Sequence, residues 1–157
     1  MKNHDHELLS RAIQLARENV KEGGGPFGAL ITLDGKIIAE SANQVIQNND
    51  PTAHAEVETI RRASKVLNTF DLTGCTLYTS CEPCPMCLGA VYWSRISRVV
   101  YASNREDAAR AGFRDAELYQ EIILDPDKRS IPFVNLGLPD AGSEFEAWDQ
   151  SEIRKDY

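Results

Sequence analysis

Cys84 and Cys87 stand with two residues between them inside Pro83-Cys84-Pro85-Met86-Cys87, and His54-Ala55-Glu56 lies well upstream. Thiolate and imidazole are the donors that zinc favours. If these three side chains share one ion, the fold must bring two distant segments together, which restricts the chain more than any other feature does. Pro85 disfavours helical geometry at Cys84, so the spacing predicts a helix starting at Pro85, with Cys84 as its cap and Cys87 in the first turn. Both sulfurs then lie near free backbone N–H groups and the positive end of a helix dipole, which favours thiolate. His54 is expected in the first turn of another helix, one that starts with Asp50 as cap and Pro51 in the first helical position. Glu56 sits two residues from His54, about 200° around an ideal helix, so it should approach the ion without ligating it.

Three protein donors leave a fourth position for water, which marks a catalytic centre. Two thiolates and a neutral imidazole cancel the charge of a zinc dication, so a separate base is needed and Glu56 is the candidate. The alternative is a structural staple in a non-catalytic zinc-binding module, with Cys81 as fourth ligand. An iron–sulfur cluster would need another cysteine in the run, and Val91 stands where it would fall. Cys75 reads as a small core residue. His4 and His6 read as solvated residues at a frayed end.

Around these pieces the pattern alternates. Residues 5–22 have a helical stripe of Leu9, Ala12, Ile13, Ala16 and Val20. Gly28–Leu33 and Lys36–Ala42 flank Asp34-Gly35, a hairpin signal. Residues 43–49 read as polar loop. Ala53, Val57, Ile60 and Leu67 mark the helix after Asp50. Strands are expected at 76–80, 98–102 (buried) and 131–136, with helical pieces at 107–122, broken near Gly112, and a weak helix at 143–155. This order favours a mixed sheet covered on both faces by helices, a three-layer α/β/α sandwich. Gly23, Gly25 and Gly28 formally fit G-x-G-x-x-G, but a helix precedes them and a strand follows, the reverse of a dinucleotide site. They are read as a helix stop.

Composition narrows the function. Lys and Arg number 17 against 24 Asp and Glu, a net charge of −7. A nucleic-acid partner needs clustered cations, and Arg61-Arg62 and Arg154-Lys155 are short and separated by acids, so no nucleic acid is expected. No apolar run approaches the roughly 20 residues of a membrane span, and no membrane partner is expected. With no apolar leader at the N-terminus, the expected compartment is the cytoplasm, where cysteines stay reduced.

The pairing of H-x-E with P-C-x-x-C recurs in zinc-dependent deaminases. The segments Gly24-Gly25-Pro26-Phe27-Gly28-Ala29, Asn49–Val57 and Tyr78–Ala90 resemble the cytidine deaminase-like superfamily. Asp107-Ala108-Ala109, Ala111-Gly112-Phe113-Arg114-Asp115, Ile131-Pro132-Phe133 and the terminal Tyr157 resemble its small bacterial guanine deaminases. The resemblance implies one domain over 1–157 with a mixed five-stranded sheet between helices, and one zinc per chain, on His54, Cys84 and Cys87 with a bound water. It implies hydrolysis of guanine to xanthine and ammonia, with Glu56 as proton shuttle and Asp115 as a second catalytic group. It suggests Asn43 and Asp115 as base-recognition groups and Tyr157 as a lining residue; Phe27 and Trp93 offer a flat base a stacking surface, and Ala53 completes the expected base-binding set. It further implies a homodimer in which a segment of about 137–157 closes the site, by exchange between subunits in similar enzymes. From pattern alone, Asp115 also reads as a helix cap, Asn43 as a turn residue, Phe27 and Trp93 as core, and Tyr157 as a free end. The competing substrates are guanosine, cytosine and adenosine in tRNA.

Overall fold

Asp34 and Gly35 both take positive φ (50° and 75°) and turn the chain back in the hairpin their sequence predicts. The computed structural model describes residues 2–157; Met1, included in the expected domain, lies outside them. Strand β1 (Gly28–Leu33) pairs antiparallel with β2 (Lys36–Ala42), with a register shift between Ile31 and Thr32. It also pairs antiparallel with β3 (Thr76–Cys81), which runs parallel to β4 (Arg98–Ser103). Helix α4 (Pro85–Trp93) makes the β3-to-β4 connection, since parallel neighbours need a crossover. The sheet is mixed, in the order β2-β1-β3-β4.

The period-2 alternation of the strands divides the core. Leu30 and Tyr78 pack with Leu8 of α1 (Lys2–Lys21) on one face. Ala29, Ile31 and Leu77 pack with Ala55 and Ala63 of α3 (Ala55–Leu67) on the other. Helices cover both faces, giving the three-layer arrangement. Gly28 lets α1 lie against the sheet: a Cβ there would stand 2.3 Å from the Ala12 carbonyl oxygen and 2.7 Å from the Ala16 nitrogen. Gly23 ends α1 with φ +84°, so these glycines serve packing and termination, not a dinucleotide.

Several expectations are corrected. The sheet has four strands among the described residues, not five. Ile131–Leu136 forms no strand: Pro132 lacks a donor, no neighbouring strand pairs with it, and Ile131, Val134 and Leu136 are exposed. β4 is a mostly exposed edge, not a buried strand. Residues 43–49 include a short helix, α2 (Val45–Asn48). The following helix begins at Ala55, not Pro51, because the Asp50 carboxylate accepts from the Thr52 N–H (2.8 Å) and hydroxyl (2.7 Å) in a local turn. On α1 the buried face carries Leu8, Ala12, Ala16 and Asn19, whereas Ile13 and Val20 are exposed. α1 includes His4 and His6, both exposed as expected, and His4 Nε2 lies 3.1 Å from the Gly35 carbonyl oxygen. Beyond β4 come α5 (Arg105–Arg110) and α6 (Asp115–Ile122), separated at Gly112 (φ +92°). The last helix, α7, is Ser143–Asp149.

Candidate metal centre and base-sized cavity

Two helix starts meet beside β3. Cys84 is the extended N-cap of α4 (φ −66°, ψ 169°), Pro85 takes the first helical position, and Cys87 follows in the first turn. His54 is the N-cap of α3 (φ −68°, ψ 153°), one position earlier than a first-turn residue, and its carbonyl accepts from the Glu58 N–H at 2.9 Å. His54 Nδ1 lies 3.6 Å from Cys84 Sγ and 3.5 Å from Cys87 Sγ, and the two sulfurs are 3.6 Å apart.

A tetrahedral zinc ion about 2.3 Å from sulfur and 2.0–2.1 Å from nitrogen sets ligand separations of roughly 3.5–3.8 Å. The three donor atoms match that triangle, and their chemistry suits zinc. The Cys84 thiol is held down at about 4, chiefly by its hydrogen bond with Cys87 and then by His54. Cys87 is pushed up by the same contact with Cys84 and by burial. The Cys84 sulfur in turn raises the His54 pKa. A cation in the triangle favours the thiolate at both cysteines.

Cys81 lies outside the triangle. Its sulfur approaches the Asn104 carbonyl oxygen at 3.6 Å, and burial raises its thiol to about 12. Cys81→Ser should therefore retain stoichiometric zinc in metal analysis; loss of the metal would make Cys81 a ligand and the site a closed staple. Cys75 is buried in the α3-side core, as its sequence context predicts.

Glu56 is almost fully buried at 4% exposure. One carboxylate oxygen accepts from the Thr79 hydroxyl at 3.3 Å and the other lies 3.4 Å from Cys87 Sγ, so it flanks the triangle without belonging to it. Burial pushes its carboxyl above the ordinary range.

The site opens into a cavity of about 240 Å³. That is below the roughly 300–1,000 Å³ of drug-sized pockets and suits a small ring system. His54, Glu56 and Cys84 line it together with Phe27, Asn43 and Asp115. Asn43 Oδ1 accepts from the Val45 N–H (3.2 Å), which assigns its NH₂ as the group available to a ligand. The Asn43 carbonyl is held by the Asn19 amide at 2.8 Å. Asp115, the first residue of α6, has its carboxyl raised by burial.

Ala53 is buried beside His54, with its carbonyl accepting from the Gln44 N–H, but it is not among the lining residues. Trp93 and Tyr157 do not line the cavity either. They are 68% and 69% exposed and face each other with ring centroids 5.8 Å apart. Sequence reasoning missed Phe113, which lines the cavity and meets Phe27 edge-to-face at 4.7 Å. It also missed Asn19, whose one signal was an amide three residues after Ala16 on a helical stripe. Glu82 also lies in the lining, paired with Arg105.

Residues 2–103 match the family model of the cytidine and deoxycytidylate deaminase zinc-binding region. The chain belongs to this deaminase family. Among its members it is 53% identical to the guanine deaminase of Bacillus subtilis over 156 residues, 99% of each chain. The crystal structure of that protein superposes with a TM-score of 0.94 over 97% of this deaminase and 98% of the other chain. A guanine deaminase structure from Nitrosomonas europaea is 35% identical, with a TM-score of 0.65 over 68% of this chain and 62% of that one. A tRNA-specific adenosine deaminase from a Buchnera aphidicola strain is 34% identical over 78% of this chain and 83% of its own. The family's zinc fits the His54, Cys84 and Cys87 donor set. No described helix is long and apolar enough to cross a membrane.

Proposed function

We propose that this zinc deaminase hydrolyses guanine to xanthine and ammonia, with His54, Cys84 and Cys87 holding one zinc ion. The observation that carries the reaction type is a donor triangle with Glu56 beside it, opening into a base-sized cavity. The choice of guanine rests on likeness to the Bacillus subtilis enzyme from end to end, well past residue 103.

When bound, zinc supplies a Lewis acid that lowers the pKa of a coordinated water. Glu56 takes the proton of the attacking water and passes it to a ring nitrogen as the oxygen bonds to C2. C2 becomes tetrahedral. A second proton, carried by Glu56 or Asp115, reaches the exocyclic nitrogen; the C–N bond breaks, ammonia leaves and C2 becomes a carbonyl. Two deliveries are needed because an amine leaves poorly until protonated. The Asn43 amide binds the acceptor edge of the purine, Asp115 binds a donor edge, and Phe27 with Phe113 supplies an apolar wall. A carboxylate base buried away from bulk water suits this proton traffic.

Zinc-loaded protein should be offered guanine, guanosine, adenine, cytosine, cytidine and adenosine in RNA, with ammonia measured for each. Guanine is the expected substrate. Silence on guanine with turnover of a nucleoside or RNA overturns the assignment, and silence on all six favours a non-catalytic zinc module. The net charge of −7 already weighs against an RNA substrate.

The active unit proposed is a single domain acting as a homodimer in the cytoplasm, with residues 137–157 of one chain covering the cavity of the other. Support comes from the apolar surface that one chain leaves bare: Phe133, Val134, Leu136, Phe145 and Ile153 are all more than half exposed. Trp93 and Tyr157 would then reach a substrate across subunits. Sedimentation velocity should give a species of two chains, and a single-chain species contradicts the dimer.

A further inference from the structure

Asp115 stands on a helix that the metal loop itself holds in place. Tyr119, one turn further along α6 and on the same face, donates its hydroxyl to the Pro83 carbonyl at 2.7 Å. Pro83 immediately precedes the ligand Cys84. Among the described residues this is the one hydrogen bond between α6 and the 82–84 segment. The Tyr119 ring is held in turn: the Arg105 guanidinium lies over it, 3.7 Å from the centroid. Arg105 is fixed by a fork on Glu82, with Nε 3.1 Å from Oε2 and a terminal nitrogen 2.5 Å from Oε1, and its backbone N–H donates to the same carboxylate at 3.1 Å. The Glu82 N–H donates to the Ser103 carbonyl at 2.8 Å, anchoring the segment to the end of β4. The side chains of Glu82 and Arg105 are 18% and 33% exposed, so the fork is partly shielded from water.

We propose that Tyr119, stacked under the Arg105–Glu82 pair, is the positioning residue that sets Asp115 in the cavity. This rests on the role given to Asp115 under Proposed function. The clamp explains why a cavity-lining acid such as Glu82 is not free to compete for the base: its oxygens are committed to Arg105. It also ties the position of the recognition helix to the loop that presents Cys84.

Tyr119→Phe tests this because it keeps the ring under Arg105 and removes only the hydroxyl. Two readouts are needed. Hydrogen exchange by mass spectrometry should show the backbone amides of 115–122 exchanging about two- to tenfold faster, the range of one modest hydrogen bond, with α1 and α3 unchanged. The kcat/KM for guanine should fall by a similar factor with zinc content unaltered. In an Asp115→Ala background the same substitution should add no further loss, because it acts through Asp115. Unchanged exchange in α6, unchanged kcat/KM, or an equal loss in the Asp115→Ala background would each overturn the clamp. If the unsubstituted protein does not turn over guanine at all, the guanine reading fails, and exchange in α6 alone decides whether Tyr119 holds the helix.

Discussion

Glu56→Gln is expected to lower turnover by about 10²–10⁴ while leaving bound zinc in place. Glutamine matches the shape of glutamate, so the packing around a side chain that is 4% exposed is preserved, and it can still accept from the Thr79 hydroxyl. An amide cannot take a proton from water and hand it on. Because Glu56 is outside the donor triangle, the metal should stay. Burial raises its carboxyl above the ordinary carboxylate range, the direction that suits a group which gains and loses a proton in each turnover. Near-normal turnover in the zinc-loaded variant would remove Glu56 from the mechanism.

Cys87→Ala has the second large effect, on the metal itself. The Cys87 sulfur lies 3.6 Å from Cys84 and 3.5 Å from His54, closing the triangle, and it is fully buried. Losing the partner of a ligand typically costs 10–100-fold in metal affinity, and losing a ligand should cost more. Zinc measured after dialysis against a moderate chelator should be absent from the variant and present in the unsubstituted protein. Thermal stability should fall with it, since an ion bound only by the folded state stabilises that state by mass action. Full zinc in the variant would mean that the triangle is not the metal site.

What the sequence disclosed was the chemistry carried by local geometry. The Asp34-Gly35 turn, the halt at Gly23 and the helix start at Pro85 follow from backbone preferences of single residues, and all three hold. The start of α3 was displaced because Asp50 satisfies the Thr52 N–H within a turn, a competition that pattern alone does not resolve. Ile131–Leu136 has strand composition, but strand pairing is a long-range property and none of the described residues pairs with it. Phe113 and Glu82 were hidden for a similar reason. An aromatic after a glycine and an acid beside a cysteine acquire a role only when α6 and the β4–α5 junction fold back over the metal loop. The zinc-donor triad was legible because H-x-E and P-C-x-x-C place the donor types at short fixed spacings, although only the α4 start was readable in advance.

The central claim is an ion held by three protein donors with one position left open. Zinc K-edge X-ray absorption on the purified protein tests it directly. The account predicts two sulfur scatterers at about 2.3 Å and two nitrogen or oxygen scatterers at about 2.0–2.1 Å: the cysteines, the histidine and one ligand from solvent. A third sulfur in the first shell, or a folded protein without zinc, would contradict it.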